Sequence, residues 1–421
     1  AKVTGALEVT QEYPSIRPIL DLNFAATKTL DRRITFTRDS LGTYVDELGI
    51  VKYASNNTPR FDHDPVTGES LGLLIEASET NLLPYSDGIG SGWGNNGTYT
   101  NTVTNVNAPD GTAGVTEYLE RNTNAYHATY YSSVSVDGSS QYTLSAWLKK
   151  GSNYDTNANG TGQFQIYCSR GTGSVASITI SPTFTSAGGG NTNSTSLIQY
   201  PNGWIRVAFT FTSNASANVT PHFLFGGGGS YSGNGTNNVY VWGVQFEQNS
   251  FPSSYIPTSG STVTRAADNA KITGTNFTDF YNSTEGTLFS EHMGAGDANS
   301  SPYIAMFSDG TNNERIILMS DYTGYQVVVK EGNANQAVLD GGTPILNVKN
   351  KNATAFKKDD FALSLNGGTV ATDTSGTMSV VDQLWIGSRN GVDSYMNNTI
   401  QSIKYYNKRL PNAQLQGLTQ Q

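Results

Sequence analysis

Apolar and polar residues alternate in short runs along most of the chain, and Gly, Asn, Ser and Thr separate the runs. Alternation with a period of two is typical of strands that bury one face, and runs about every 8–12 residues are typical of β-sandwiches. The run over residues 204–211 places one apolar set on a single predicted core face: Ile205, Val207, Phe209 and Phe211. The pattern therefore predicts an all-β protein that contains antiparallel β-sandwiches.

The runs divide the chain into three parts. Residues 1–85 are the most charged part and contain short predicted strands, which indicate a small β-rich region. Residues 86–264 and 265–421 each carry a longer series of strands, and we expect one sandwich in each of them. A single helix is predicted over residues 410–418, with Pro411 in its first turn.

Composition and charge narrow the function classes. Charged residues make up 14% of the chain, whereas about 25% is usual. Long exposed helices need Glu, Lys and Arg on their solvent-facing sides, so a mainly helical protein is disfavoured. The 25 basic and 34 acidic residues give a net charge of −9 and form no basic cluster. Because a negative chain is repelled by phosphate backbones, nucleic-acid binding is disfavoured as well.

The cysteine count and the length of the apolar stretches indicate in which cellular compartment the protein is made. Cys168 is the single cysteine, which leaves no internal disulfide and no cysteine-based zinc site. No apolar stretch of 18 residues occurs, and residues 1–20 contain no signal-peptide core. We therefore expect the protein to be made in a host cytoplasm without a signal peptide. We expect no insertion into a membrane. Virion proteins released by lysis fit this combination of features.

Two sets of motifs resemble structural proteins of tailed bacteriophages. The first comprises residues 60–76 (RFDHDPVTGESLGLLIE), followed by NLL at residues 81–83. The second comprises WGVQFE at residues 242–247, SYIPT at residues 254–258 and TRAAD at residues 264–268, and it is similar to another signature of the same family. The resemblance implies a virion surface protein of the tail fibre, head fibre or capsid decoration type.

A third motif, TIQSIKYYNKRL at residues 399–410, is similar to the closing strand of concanavalin A-like (laminin-G-like) jelly rolls. Together the motifs imply a carbohydrate-binding-module-like jelly roll over residues 86–264 and a concanavalin A-like sandwich over residues 265–421. Residues 1–85 are then expected to anchor or oligomerise the protein, while the rest projects outward.

The expected partners follow from this resemblance. Fibres and decorations are usually symmetric oligomers, so we expect a homo-oligomer, with a trimer as the first choice. Residues 1–85 are expected to bind other virion proteins of the capsid or tail, and the sandwiches to bind host-surface glycans. The expected location is the virion surface. A secreted bacterial lectin-like protein is the alternative binding class, and the missing export signal counts against it.

We expect no catalysis and no cofactor. Glycosidases with a concanavalin-like fold carry carboxylates on one strand face, spaced Glu-x-Asp-x-Glu, and this triplet does not occur. No Gly-x-Ser-x-Gly elbow stands between a strand and a helix, and the four histidines lack metal-ligand spacing. A glycan depolymerase is therefore the less favoured alternative function.

One loop raises the question of calcium. Asp62, Asp64 and Glu69 offer hard oxygen ligands within a short stretch, so a calcium site is one interpretation. The acidic residues are less densely spaced than in a typical calcium loop. The favoured alternative is that Asp62 and Asp64 organise the turn before Pro65. The prediction is that no metal is bound.

A sugar site on a sandwich needs an exposed aromatic ring and groups that hydrogen-bond to hydroxyls. The loop over residues 387–398 holds Arg389, Asp393 and Tyr395 and is the first predicted glycan-binding site, because loops between strands commonly carry binding groups. Arg389 and Asp393 could instead form a surface ion pair. Trp93 is the second predicted glycan-binding residue, and its alternative role is packing at the start of the middle sandwich.

Overall fold

A computed structural model of the protein describes residues 17–89, 92–154, 162–170, 173–180, 186–214, 216–226, 228–294, 301–320, 324–343, 345 and 348–420. Strands dominate these residues and form several antiparallel sheets. The predicted all-β fold class is thereby confirmed. Within the described ranges, no helix has the length and apolar character needed to cross a membrane.

The strands fall into three groups along the chain. In the N-terminal part they are β1 (Leu20–Asn23), β2 (Thr35–Thr37), β3 (Gly42–Val45), β4 (Val51–Ala54), β5 (Phe61–His63), β6 (Ser70–Ile75) and β7 (Glu79–Asn81). In the middle part they are β8 (Trp93–Asn96), β9 (Thr98–Asn107), β10 (Ala113–Glu120), β11 (Asn124–Ala125), β12 (Ala128–Tyr131), β13 (Val134–Val136), β14 (Gln141–Lys150), β15 (Phe164–Arg170), β16 (Gly173–Ile180), β17 (Ser186–Gly190), β18 (Thr192–Gln199), β19 (Trp204–Thr212), β20 (Ala217–Phe225), β21 (Tyr231–Ser232) and β22 (Asn238–Glu247). In the C-terminal part they are β23 (Val263–Arg265), β24 (Asn269–Thr273), β25 (Glu285–Met293), β26 (Tyr303–Ser308), β27 (Arg315–Ser320), β28 (Tyr325–Glu331), β29 (Ala334–Asp340), β30 (Lys349–Lys357), β31 (Phe361–Leu365), β32 (Ala371–Asp373), β33 (Gln383–Ile386) and β34 (Asn398–Tyr406).

The helices in the described part of the chain are short: α1 (Phe24–Thr27), α2 (Thr275–Thr278), α3 (Asn412–Thr419) and the 3-10 turn Pro201–Gly203. The predicted C-terminal helix is confirmed as α3, although Pro411 lies at its N-cap rather than inside its first turn. Pro411 suits this position because it has no backbone N–H that needs a partner. Leu415 of α3 is buried against the adjoining sheet.

The C-terminal sandwich consists of two antiparallel sheets. One has the strand order β32-β31-β30-β25-β34-β6-β5 with β1 also paired to β34, and the other has the order β2-β24-β33-β26-β27-β28-β29. Their inner faces share one apolar core that includes Leu73, Ile272, Phe307 and Tyr405. Every second side chain of a strand reaches this core, because successive residues point to opposite faces.

The N-terminal strands complete this sandwich. Leu20 and Leu22 of β1 are buried in its core, while Asp21 between them is exposed, as the alternating pattern predicts. β1 and β6 both pair with β34, and β2 pairs with β24. Strands from before and after the predicted border at residue 85 are therefore hydrogen-bonded to each other in the same sheets. An anchoring role for residues 1–85 stays a prediction.

The middle sandwich also has two antiparallel sheets. We call the sheet β18-β19-β14-β22-β10-β9 the junction sheet, and the sheet β17-β16-β15-β20-β12-β8 the distal sheet, in which β13 also pairs with β20. Cys168 is buried in the core between them, and burial raises the pKa of its thiol. The predicted core face of β19 is confirmed, since its four apolar side chains lie in this core: Ile205, Val207, Phe209 and Phe211.

The outer face of the junction sheet is covered by other parts of the chain. Trp147, Trp204, Trp242 and Tyr255 form a second apolar cluster there, together with Val51 of the β3–β4 hairpin. The indole of Trp147 lies edge-on to that of Trp242, with ring centroids 5.3 Å apart. This cluster joins the middle sandwich to the N-terminal part of the C-terminal sandwich.

A glycine in the second motif makes room for that cluster. Gly243 has a φ of +63°, a backbone conformation that favours glycine. A Cβ atom at this position would lie 2.5 Å from a ring atom of Trp147. Gly243 therefore allows the Trp147 indole to pack directly on the backbone of β22.

Buried charges from the first and second motifs meet beside the same junction. Arg60 binds both Glu76, at 2.7 Å, and Asp268. Arg38 binds Asp268 at 3.0 Å, and Arg265 approaches Glu76 at 3.4 Å. We call these five residues the charge network. Burial alone would raise the pKa of Glu76, but the guanidinium groups of Arg265 and Arg60 lower it to about 2.

Hydrogen bonds attach the segment after β22 to this network. Glu76 accepts hydrogen bonds from the backbone N–H and the hydroxyl of Ser254, at 2.8 and 2.6 Å. Glu247 accepts from the N–H of Ser253 at 3.0 Å, and Gln245 accepts from the N–H of Ile256 at 2.7 Å. The residues of both motifs thus position the connection between the two sandwiches.

Candidate functional site

A row of residues from six different strands crosses the outer face of the distal sheet. Pairing between neighbouring strands places its members side by side in the order Gly94, Tyr130, His222, Tyr167, Ser177 and Gly189. Directly paired residues point to the same side of a sheet, so the side chains of this row form one continuous surface. We call this row the Tyr–His face.

Three rings form an aromatic strip in the middle of the Tyr–His face. Tyr167 stacks on His222, with ring centroids 4.2 Å apart and planes 9° apart. Tyr130 lies on the other side of His222, with centroids 5.8 Å apart and planes inclined by 41°. Offset and inclined rings at such distances attract one another, so the strip is held together by its own contacts.

Tyr130 supplies the accessible aromatic surface of this strip. Its side chain is 39% exposed, whereas Tyr167 is buried and its hydroxyl lies 2.9 Å from that of Tyr126. A Cβ atom on Gly94 would lie 2.8 Å from two ring atoms of Tyr130. The absence of a side chain at Gly94 therefore lets the Tyr130 ring lie close to the backbone of β8.

Polar side chains stand beside the aromatic strip. The hydroxyl of Ser169 and Nε2 of His222 are 2.7 Å apart, and the Gln165 amide donates to the Thr179 hydroxyl at 3.2 Å. Burial lowers the pKa of His222 to about 4, so its imidazole is neutral at pH 7. A neutral surface of aromatic rings, hydroxyls and an amide can hold an uncharged ring that carries several hydroxyl groups.

The first predicted glycan-binding loop forms a compact turn. Arg389 and Asp393 make a bidentate ion pair, and the N–H of Arg389 donates to the backbone carbonyl of Asp393 at 2.9 Å. The ion pair lowers the pKa of Asp393 below its usual range. The structure thus shows the ion pair that was the alternative interpretation, and glycan binding by this partly exposed pair stays a prediction.

The two aromatic residues predicted for glycan binding are buried. Tyr395 is 7% exposed, and its hydroxyl donates to the carbonyl of Gly391 at 2.7 Å and lies 3.0 Å from an oxygen of Asn269. Trp93 is 8% exposed and packs in the core of the middle sandwich against Tyr131. Neither ring offers an open face, so the packing role proposed as the alternative for Trp93 is the one observed.

The Tyr–His face was not among the sites predicted from the sequence. Tyr130, Tyr167 and His222 lie far apart along the chain, in three different strands, and no short motif contains more than one of them. Tyr167 directly precedes the buried Cys168 in β15, so its side chain points to the outer face. The register of the strands is needed to bring the three rings together.

The acidic loop after β5 shows no metal geometry. The Asp64 carboxylate accepts from the N–H groups of Val66 and Thr67, at 2.9 and 2.7 Å, as a turn-organising residue does. Asp62 accepts from the N–H of Val45, and Glu69 pairs with Lys349 at 3.0 Å. Throughout the described part of the chain, no group of three His, Cys, Asp or Glu side chains is placed to hold a metal ion.

Comparisons with known proteins returned structures only. No protein-family model matches the chain, and no curated protein sequence matches it. The carbohydrate-binding module CBM40 of the Ruminococcus gnavus IT-sialidase has 19% identity and a TM-score of 0.29, and the match covers 32% of this chain and 83% of that one.

Two longer matches have lower identity. Domains LG4-5 of the mouse laminin alpha1 chain have 8% identity and a TM-score of 0.22, with 64% of this chain and 82% of that one covered. The CBM22-1-CBM22-2 tandem domain of Paenibacillus barcinonensis Xyn10C has 7% identity and a TM-score of 0.25, with 79% and 98% covered. These structures are carbohydrate-binding modules and laminin-G domains, which have the jelly-roll type of sandwich.

Proposed function

We propose that the protein is a non-enzymatic glycan-binding protein and that the Tyr–His face holds the sugar. The observation that carries this proposal is the partly exposed ring of Tyr130, which lies close over Gly94 and continues the ring stack of His222 and Tyr167. Sugar rings pack their apolar C–H faces on aromatic rings, and their hydroxyls bond to polar groups at the edge.

The polar surroundings favour a neutral glycan over a charged one. Gln165, Ser169 and Thr179 beside the strip can exchange hydrogen bonds with hydroxyls, and each is half-buried. His222 is neutral at pH 7 and adds no charge that would attract an acidic sugar.

Ser169 and His222 stand side by side at this face as a nucleophile and a base, but their surroundings favour binding over hydrolysis. Ser169 and His222 lie within hydrogen-bond distance, but Nδ1 of His222 has no hydrogen-bond partner among the described residues. A catalytic histidine needs an orienting group at that nitrogen and a pKa near the working pH. The pKa of His222, about 4, makes it a poor base at pH 7.

We further propose that the protein belongs to a virion surface, as a fibre or decoration that contributes to host attachment. The support is the resemblance of residues 60–76, 81–83, 242–247, 254–258 and 264–268 to structural proteins of tailed bacteriophages. Assembly as a homo-oligomer, with other virion proteins bound through residues 1–85, forms part of the same proposal. Electron microscopy of particles with an antibody against this chain tests the location.

The glycan site is tested with Tyr130→Ala on an array of bacterial surface polysaccharides and other glycans. We expect the unchanged protein to bind at least one neutral glycan and the variant to bind it about 5–10-fold more weakly, because a ring contact of about 1 kcal/mol is lost. Tyr53→Ala is the matched control, since Tyr53 is 44% exposed on the distant β3–β4 hairpin. Equal binding by all three proteins would refute the proposed site.

The same assay separates the remaining possibilities. Arg389→Ala tests the predicted loop site, and a loss of binding in this variant alone would move the glycan from the Tyr–His face to that loop.

Incubation with a bound polysaccharide, followed by measurement of reducing ends, tests catalysis. We expect no new reducing ends. If the unchanged protein generates them and Ser169→Ala does not, the protein is a depolymerase.

A further inference from the structure

A cleft of about 600 Å³ lies between the two sandwiches, far from the row that forms the Tyr–His face. One wall is the outer face of the junction sheet at β18 and β19. The other wall is formed by the N-terminal strands β3, β5 and β6, and the segment 250–255 closes one end. A volume of this size is within the range of about 300–1,000 Å³ found for small-molecule sites.

Hydrogen bonds and close packing hold the walls in place. The N–H of Val51 donates to the carbonyl of Pro109 at 3.0 Å, and the Thr43 hydroxyl donates to the carbonyl of Tyr255 at 2.7 Å. Gly49, in the turn of the β3–β4 hairpin, packs so closely that an added Cβ would lie 2.6 Å from Pro201. The cleft is therefore a preformed feature of the junction.

Aromatic rings with accessible surface line the cleft on both sides. Tyr44 of the hairpin, Tyr200 before β19 and Phe251 of the closing segment are all half-buried. The deeper ring of Trp147 is fully covered and packs under the guanidinium of Arg206, 4.4 Å from the ring centroid. Rings that are partly open and rigidly supported are the usual contact surfaces for the C–H faces of sugars.

Carboxyl groups lie on the N-terminal wall beside Tyr44, opposite Tyr200 on the other wall. Asp62 uses one oxygen to accept from the N–H of Val45 at 2.6 Å and is only partly exposed. Asp62, Asp64, Tyr200 and Arg206 all line the cleft, so one ligand in it can contact several of them at once.

The charge balance of the cleft disfavours an anionic ligand. Arg206 is already engaged, because it donates to the carbonyl of Ser253 at 2.6 Å in addition to its contact with Trp147. Asp62 and Asp64 contribute carboxylates on the opposite wall. A ligand that donates hydroxyl hydrogens to carboxylates and packs apolar faces on rings suits these walls, whereas a phosphate or carboxylate does not.

We propose that this cleft is a second binding site, for a neutral polyhydroxylated ligand of one or two sugar rings, with Asp62 as the main hydrogen-bond acceptor and Tyr44, Tyr200 and Phe251 as contact surfaces. The proposal does not rest on the Tyr–His face, because the two sites share no residue. It gives the junction between the sandwiches a binding role in addition to its structural one.

Saturation-transfer difference NMR of the full chain tests the cleft with glucose, galactose, mannose and N-acetylglucosamine as probes. We expect transfer to at least one probe, and a reduction of at least about fivefold in Asp62→Asn and in Ser196→Trp. The first variant weakens the acceptor, and the second fills the cleft from β18. Asp137→Asn is the matched control, because it makes the same change at an exposed position of the middle sandwich.

Each outcome bears on the proposal. Transfer that survives in Tyr130→Ala and falls in both cleft variants supports the cleft. No transfer to any of the four probes overturns it, and so does wild-type transfer in Asp62→Asn and Ser196→Trp. Transfer lost in Tyr130→Ala but kept in the cleft variants assigns the sugar to the Tyr–His face and likewise overturns the cleft. Unchanged denaturation midpoints show that the variants are folded.

Discussion

The two outer faces of the middle sandwich both carry aromatic side chains. They differ in how much of each face is covered by other parts of the chain. The junction sheet carries Trp147, Trp204 and Arg206 on its outer side, and the distal sheet carries Tyr130 and His222. The first face is covered by the N-terminal hairpin and the segment after β22, so its tryptophans are buried. The second face keeps Tyr130 39% exposed.

The cover for aromatic residues that cluster on the outer face of a sheet can be another part of the same chain or a ligand. In the junction sheet the chain itself provides it, and the residues of the first and second motifs hold that cover in place. In the distal sheet the described residues provide only a partial cover, and this is why we place the glycan there.

The largest expected difference between the faces concerns stability. Trp147→Ala removes a fully buried indole together with its contacts to Trp242 and Arg206. We expect a loss of roughly 3–5 kcal/mol in the free energy of unfolding, measured by urea denaturation. Tyr130→Ala is the counterpart on the open face, and we expect a loss of about 0.5 kcal/mol or less. Equal losses would mean that the distal face is covered too.

The charge network should be the next most sensitive part. Glu76→Gln leaves the buried guanidinium of Arg265 beside a neutral amide and removes one of the two carboxylates that bind Arg60. We expect a loss of about 3 kcal/mol in the free energy of unfolding, because a buried charge without its partner is costly. Glu47→Gln is the control, since Glu47 is exposed and its carboxylate lies 3.8 Å from Lys28, and a surface pair contributes about 0–1 kcal/mol.

The contribution of Glu76 should also depend on pH. Its pKa in the folded chain is about 2, below the ordinary value of 4.5. A carboxyl group with a lowered pKa stabilises the fold fully above its ordinary pKa and loses this effect as the pH falls toward the lowered one. The stability gap between the unchanged protein and Glu76→Gln should therefore narrow from about pH 5 to about pH 2. A gap that is constant over this range would contradict the assigned charge of Glu76.

The smallest expected effect concerns the open face. Gly94→Ala places a Cβ atom 2.8 Å from ring atoms of Tyr130, so the ring must move away from the backbone. We expect glycan affinity to fall about threefold, which corresponds to about 0.7 kcal/mol, with stability changed by less than about 1 kcal/mol. Gly229→Ala is a control with open space around the added atom. The same affinity in both variants would show that the position of the Tyr130 ring is unimportant.

Several features of the fold followed from local pattern. The alternation over residues 204–211 predicted which side chains of β19 are buried, and the structure places this apolar set in the core of the middle sandwich. The C-terminal helix was predicted from its proline and its apolar positions. Such predictions succeed because strand and helix geometry depends on neighbours in sequence.

The predicted glycan-binding residues show where local pattern is insufficient. Trp93 and Tyr395 stand next to glycine-rich or polar loops, which suggested exposed rings. Burial, however, depends on what packs against a side chain, and here Tyr131 and Phe223 cover Trp93 while Asn269 approaches the Tyr395 hydroxyl. Glycan binding at these positions stays a prediction that the binding assays can test.

Composition and short-range spacing were sufficient to establish the all-β class, the inward faces of the main strands, the C-terminal helix and the lack of a cysteine framework, because each depends on a few neighbouring residues or on none. The three-dimensional arrangement was needed to show that N-terminal strands complete the C-terminal sandwich, that the two motifs meet in the charge network, and that Tyr130, His222 and Tyr167 stand in one row. The difference lies in strand register: pairing brings together residues that are far apart in sequence, and no local pattern encodes which strands will pair.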